Sequence, residues 1–205
     1  PINLERKRQG LNHANSCWFW GAGTRPALVS FEEKNGKKGA MISAVDLLKG
    51  IAAGAGMTNI QVEGANGQLH TNYEGKARAA ADALLKDGFD FVYVHVEAPD
   101  EMGHQGSWER KVQSIEYLDQ RLIKHLKEAL DASGEPYRMM VLPDHPTPIR
   151  VRTHTSDPVP FLLYDSTKTQ NGQDVYSEKA ARESGLTVSR GCELIDRLFE
   201  KTEIR

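Results

Sequence analysis

The sequence predicts an α/β fold of three layers, a mainly parallel sheet with helices on both faces, and three observations predict it. Short apolar runs alternate with longer amphipathic stretches along the whole chain. The clearest of those runs, FDFVYVHV at 89–96, is aromatic and β-branched throughout, as a strand buried between two layers is. The loops richest in Asp and His follow directly on apolar runs, at the strand edge where such sheets collect ligands.

The elements follow in order. Residues 16–20 (SCWFW) form a short apolar run broken by a Gly-Ala-Gly turn, and the Trp18–Trp20 pair is expected to fill core. Residues 39–43 (GAMIS) read as a buried strand. A helix over 44–55 follows, with Val45, Leu48 and Ile51 at helical spacing. A short strand at 59–62 leads into a loop at 64–67, where glycines permit positive φ. Residues 73–86 are rich in Ala, Leu and Lys and stop before Gly88, a helix followed by its C-terminal cap. After the 89–96 strand, a polar loop at 97–106 precedes a long helix over 107–132. Its single apolar face carries Val112, Ile115, Leu118, Leu122, Ile123 and Leu126. Residues 138–142 (RMMVL) and 159–164 (VPFLLY) are two more strands with a loop between them, and helices at 178–184 and 191–201 close the chain.

Composition narrows the function classes. With 205 residues, 39% of them hydrophobic and 26% charged, the chain has enough apolar material for one sizeable core. A net charge of −2 gives no electrostatic reason for a nucleic-acid partner or an anionic membrane. No apolar run approaches the roughly 18 residues of a membrane-spanning helix and no signal peptide is visible, so a cytoplasmic location is expected. Cys17 and Cys192 lack metal-binding spacing and are expected as small buried hydrophobes. The sequence starts at Pro1 and runs into a polar, charge-rich stretch, so 1–14 is expected to be a truncated or linker segment and 15–205 the main unit.

Three segments carry candidate chemistry. EAPDEMGH at 97–104 places Asp100 and His104 four residues apart, a spacing that points both side chains the same way on one helical turn. PDHPTP at 143–148 holds Asp144 and His145, and HTSDPVP at 154–160 begins with His154. Asp and His together suit a catalytic divalent ion such as Zn²⁺ or Mn²⁺, whereas structural zinc favours thiolates. Neighbours such as Asp144 and His145 diverge on a regular strand but can face one pocket at an irregular strand end. His95 is expected to pack or hydrogen-bond inside its strand, His125 to lie on a helix surface, and His13 and His70 to sit in solvated loops.

PDEMGH, PDHPTP and HTSDPVP in this order, with NSCWFWGAGTRP, GAMISAVDLLKGIAAGAGM and TNYEGK upstream, resemble the cofactor-independent phosphoglycerate mutases of the archaeal type, in the alkaline phosphatase superfamily. The resemblance covers about 15–198 and implies an alkaline phosphatase-like core, incomplete at the N-terminus, of which 15–205 is the C-terminal portion. It implies that Asp100, His104 and His154 hold one metal ion and that Asp144 and His145 supply two ligands of a second. The ions would be Mn²⁺, Zn²⁺, Co²⁺ or Mg²⁺, with no bisphosphoglycerate cofactor. The implied activity interconverts 3- and 2-phosphoglycerate through a phosphoserine. The family's nucleophilic serine comes from an N-terminal segment; no counterpart is found here, since Ser16 and Ser30 fall in stretches matching later parts of the family. The expectation is therefore a chain missing its N-terminal half and inactive alone, with a small phosphorylated substrate as partner. A sheet edge left open would favour self-association into a homo-oligomer. Lys76, Asn72 and Thr71 in the TNYEGK stretch, and Arg150 and Arg152 between the ligand segments, are candidate substrate contacts, against a surface or solvated-loop role for each. Glu97 and Glu101 are expected as partners of the metal ligands or as exposed loop acids. Two other readings stay open: a homoserine kinase-like or other phosphotransferase or phosphatase of the same superfamily, and an inactive metal-binding fragment.

Overall fold

The computed structural model describes residues 1–19, 21–24, 26–168 and 172–200. In chain order these form helices α1 (Ile2–Arg8) and α2 (Phe31–Asn35), strand β1 (Gly39–Ile42), α3 (Asp46–Gly54), β2 (Thr58–Asn59), α4 (Tyr73–Leu85), β3 (Phe91–Val94) and α5 (Ala98–His104). There follow α6 (Trp108–Tyr117), a π-helical stretch Leu118–Ile123, α7 (Lys124–Ser133), β4 (Arg138–Val141), β5 (Leu162–Asp165), α8 (Glu178–Glu183), and a 3₁₀ turn leading into α9 (Leu194–Leu198). No helix among the described residues is long and apolar enough to cross a membrane.

The parallel sheet has the order β2-β1-β3, with Gly39 opposite Phe91 and Ile42 opposite Val94. All four residues of β1 are buried, so both faces of this central strand are covered. Because side chains alternate, Phe91 and Val94 point to opposite faces. Phe91 stacks on Phe31 of α2 at 5.0 Å and meets Phe199, just past α9, edge-on at 5.5 Å. Val94 packs into the cluster of Tyr73, Ala77, Ala98 and Leu122. Helices therefore flank the sheet on both sides, α2 and α9 on one, α4 and α7 on the other. Gly39 is required here: a Cβ would lie 2.8 Å from the Phe31 ring.

Several expectations are corrected. The 159–164 strand runs as 162–165 and pairs antiparallel with β4, forming a two-stranded ladder separate from the parallel sheet among the described residues. Residues 97–106 are not a loop: 98–104 form α5, with Pro99 in the first turn, where its missing N–H costs nothing. The 107–132 helix contains the π-helical stretch, which breaks the 3.6-residue phase. As a result Leu122 is buried while Val112 and Ile115, predicted on the same face, are exposed. Trp18 is 84% exposed rather than core, and Trp20 lies outside the described residues. Cys17 and Cys192 are both exposed and free. Residues 2–8 of the expected linker are helical.

The β4–β5 ladder is pinned by Asp165. Its carboxylate accepts from the hydroxyl of Thr167 at 2.6 Å, from Arg138 Nε at 2.8 Å and from the Thr167 amide at 3.0 Å. These donors, the Thr167 hydroxyl first and Arg138 next, hold the carboxyl well below the usual carboxylate range. A depressed folded pKa means the stabilisation is full above the unfolded value of about 3.9 and is lost as pH falls through the folded value. Asp165→Asn is expected to cost about 1.5–3 kcal/mol at pH 7 by urea denaturation, the range for hydrogen bonds to a charged group. The gap to wild type should narrow steadily below about pH 4; a gap independent of pH would mean that the charge on Asp165 contributes nothing.

Candidate metal centre

Three chain segments meet at the ends of β3 and β4. The first is α5, which presents Asp100 and His104 one turn apart on the same side. The second is 144–148, leaving β4 through Asp144, His145 and the Pro-bracketed Thr147. The third is 152–155, tied back to the second by a bond from the Thr155 amide to the Pro146 carbonyl at 3.1 Å. Gly103 lets α5 and the second segment close on each other, because a Cβ there would lie 2.5 Å from the Thr147 carbonyl oxygen. That carbonyl also accepts from Lys111 Nζ at 2.6 Å.

The donor atoms converge closely. His104 Nε2 lies 3.3 Å from one oxygen of Asp100 and 3.2 Å from His154 Nε2, and His154 Nε2 lies 3.4 Å from the other Asp100 oxygen. A tetrahedral ion with bonds of about 2.0–2.1 Å has ligand–ligand edges of about 3.3–3.4 Å; the two imidazole nitrogens stand close to such an edge, and one ligand atom from each of the three residues lies within 4.8 Å of the others. His104 Nδ1 lies 2.9 Å from the Arg152 carbonyl, which can only accept. The ring proton therefore sits on Nδ1, leaving the Nε2 lone pair for an ion. Arg152 holds its carbonyl there from a left-handed backbone, φ 57°, a conformation that costs a non-glycine residue on the order of 1–3 kcal/mol.

Asp144 and His145 form an adjoining pair. His145 Nε2 lies 3.3 Å from Asp144 Oδ2, beyond the end of β4, so the irregular strand end brings these neighbours together. The His145 ring lies against that of His154, centroids 3.6 Å apart, which sets the pair directly beside the first donor set. Thr147 joins the two: its hydroxyl donates to Asp100 and lies 3.5 Å from His145 Nδ1. Sequence reasoning passed over Thr147, although a hydroxyl bracketed by two prolines, two residues after His145, was a signal in the motif itself.

The other candidates divide. Lys76 is not a surface lysine: it is fully buried and Nζ donates to the His95 carbonyl at 2.8 Å. Burial pushes its pKa down, against the opposing pull of Glu97. Glu97 is not an exposed loop acid, since its Oε2 is buried and without a hydrogen-bond partner, and burial pushes its carboxyl up. Asn72 caps α4, accepting from the Gly75 amide and donating to the Glu63 carbonyl, both at 2.8 Å. Thr71 is buried and accepts from the Asn66 amide. Arg150 and the Arg152 side chain are exposed, the latter lying over Gly106. His95, expected inside its strand, lies just past the end of β3, 3.4 Å from Ser43 Oγ, and burial holds its pKa below the ordinary value.

Comparison with known proteins places this geometry in context. The family described as the Metalloenzyme superfamily matches residues 2–194. The chain is 47% identical over 201 residues to the 2,3-bisphosphoglycerate-independent phosphoglycerate mutase of Methanosarcina mazei, spanning 98% of this chain and 50% of that one. It is 46% identical, with the same two shares, to a probable mutase of this kind from Geobacter sulfurreducens. Among solved structures, a Pyrococcus horikoshii protein superposes with a TM-score of 0.77 at 32% identity, over 90% of this chain and 56% of that one. The cofactor-independent phosphoglycerate mutase of Thermoplasma acidophilum superposes with a TM-score of 0.63 at 23% identity, over 98% of this chain and 47% of that one, and shows the shared fold. The chain spans about half the length of the curated relatives it matches.

Proposed function

The chain belongs to the Metalloenzyme superfamily, and from that membership we propose that it supplies the metal-holding part of a bisphosphoglycerate-independent phosphoglycerate mutase. In this reading Asp100, His104 and His154 hold one divalent ion, and Asp144 and His145 contribute to a second. The single observation that carries it is the convergence of Asp100, His104 and His154, one ligand atom from each lying within 4.8 Å of the others. Three imidazoles among five donors favour Mn²⁺, Zn²⁺ or Co²⁺ over Mg²⁺, which prefers an all-oxygen shell.

A divalent ion held by these residues would supply positive charge against phosphate oxygens and lower the pKa of a hydroxyl beside it. The chain's own residues keep the donors in place. The Arg152 carbonyl fixes the His104 tautomer, and Thr147 orients the Asp100 carboxylate through its hydroxyl. The phosphoryl group would pass from the 3-oxygen of phosphoglycerate to a serine, and from that serine to the 2-oxygen of the same glycerate. This reading puts the serine in the half of the relatives' length that residues 1–205 do not span, and places the reaction in glycolysis, in the cytoplasm. The test combines this chain with the complementary half of the M. mazei relative and follows 3-phosphoglycerate conversion without added bisphosphate. Turnover is expected with Mn²⁺, Zn²⁺ or Co²⁺ and should vanish on chelation. An assembled, metal-loaded pair with no turnover would defeat the assignment.

A further inference from the structure

Gly103 leaves a gap on α5 that two groups fill together. A Cβ there would lie 2.5 Å from the Thr147 carbonyl oxygen and 2.9 Å from Lys111 Nζ. These two groups bond to each other, Nζ donating to the carbonyl at 2.6 Å. Lys111 stands on α6 and is partly buried. Burial pushes its pKa down, against the opposing pull of the Asp100 and Glu178 carboxylates. The neighbouring carbonyls are satisfied from within their own loop. That of Pro146 accepts from the Thr155 amide at 3.1 Å, and that of Pro148 from the Val151 and Arg152 amides, both at 2.9 Å. Thr147 differs: its carbonyl is held from α6, and its hydroxyl donates to Asp100 of α5. Thr147 is also β-branched and precedes a proline, which stiffens its χ1 and its backbone, so carbonyl and hydroxyl move as one.

We propose that Lys111 is a positioning residue of the metal centre: by holding the Thr147 carbonyl in the Gly103 gap, it keeps the Thr147 hydroxyl on Asp100 and the 144–148 segment against α5. The inference rests on the reading of Asp100, His104 and His154 as metal donors, on which Lys111 acts through Thr147. Two roles are open to an ammonium here, and they have opposite signs. A cation beside Asp100 repels a divalent ion, so its loss as a bare charge would tighten ion binding. A tether orients a donor, so its loss loosens binding. The packing favours the tether. A bare charge needs neither a 2.6 Å bond to an uncharged carbonyl nor a glycine that clears room for both partners. Asp144 and His145 stand in the tethered segment, so the same bond bears on where the second pair of donors lies.

The test compares wild type, Lys111→Met, Thr147→Val and the double variant by titration calorimetry with Zn²⁺. Lys111→Met keeps the side-chain length and removes the donor. It is expected to weaken ion binding about 10-fold, the low end for loss of a group that supports a donor. Because Lys111 acts through Thr147, the double variant should lose less than about 2-fold beyond Thr147→Val alone. Gly103→Ala is a second route to the same loss: it keeps Lys111 and every donor, favours the helix, and fills the gap, so it should weaken binding at least as much. A further arm needs no ion. With chelator present, hydrogen exchange at the Thr155 amide, bonded to the Pro146 carbonyl next to the tether, should quicken at least about 5-fold in Lys111→Met. Unchanged or tighter ion binding by Lys111→Met, losses that multiply in the double variant, or unchanged exchange at Thr155 overturns the proposal. No ion uptake by wild type defeats the metal reading instead, whereas normal uptake with unchanged exchange defeats this inference alone.

Discussion

Replacing His104 by alanine is expected to lower divalent-ion affinity by more than about 100-fold, the largest functional effect of any single substitution in this chain. Loss of a supporting group outside the donor set typically costs 10–100-fold, and removing a donor itself should exceed that. Asp100→Asn should act comparably, because the carboxylate faces both imidazoles, at 3.3 and 3.4 Å. Thr147→Val leaves all donors in place and removes only the hydroxyl that orients Asp100, so a loss of roughly 10-fold is expected. His125→Ala serves as the control, since His125 is an exposed helix residue outside the donor set. Titration calorimetry with Zn²⁺ and Mn²⁺, together with elemental analysis, gives the ranking. If His104→Ala takes up ions like wild type, the convergence of these side chains has no bearing on metal binding.

The largest effect on stability is expected at Lys76. Its ammonium is completely buried, holds the carbonyl of His95 at the end of β3, and offsets the partly buried Glu97 carboxylate. Truncating a fully buried side chain of this length leaves a cavity and strips the His95 carbonyl of its donor, typically at about 2–5 kcal/mol. Lys76→Ala should cost about that much in urea denaturation. Lys76→Met keeps the volume and should cost less, and combining it with Glu97→Gln should recover part of the remainder by removing the stranded charge. The β3–α5 junction carries Asp100 six residues beyond β3, so the alanine variant should also bind ions more weakly. A cost below about 1 kcal/mol for Lys76→Ala would mean that the buried ammonium does not secure this junction.

Much of the site was legible in the sequence because its chemistry is local. Asp100 and His104 sit one helical turn apart whatever surrounds them, and Asp144 and His145 are neighbours at a strand end. What these residues share with His154 was not legible. It depends on the Thr155–Pro146 backbone bond, the close approach permitted by Gly103 and the left-handed Arg152, each joining segments far apart in sequence. The same distinction runs through the fold. Strands 39–42 and 91–94 were readable from their apolar character, whereas the antiparallel partner of β4 and the dephased helix around Leu118–Ile123 were not. Residue type misled where burial was decided by neighbours: Lys76 is buried and Trp18 exposed, against the usual preference of each.

By itself the sequence determined the alternation of strands and helices, the families of donors and the edge of the sheet at which they collect. Those follow from hydrophobic periodicity and from side chains within a few residues of one another. The tertiary structure alone decided that three donors converge to within 4.8 Å of one another, which ring nitrogen of His104 is left free, and that two strand edges face each other across an apolar slot. Each of these is a distance between segments brought together by packing, and short-range patterns carry no information about such distances.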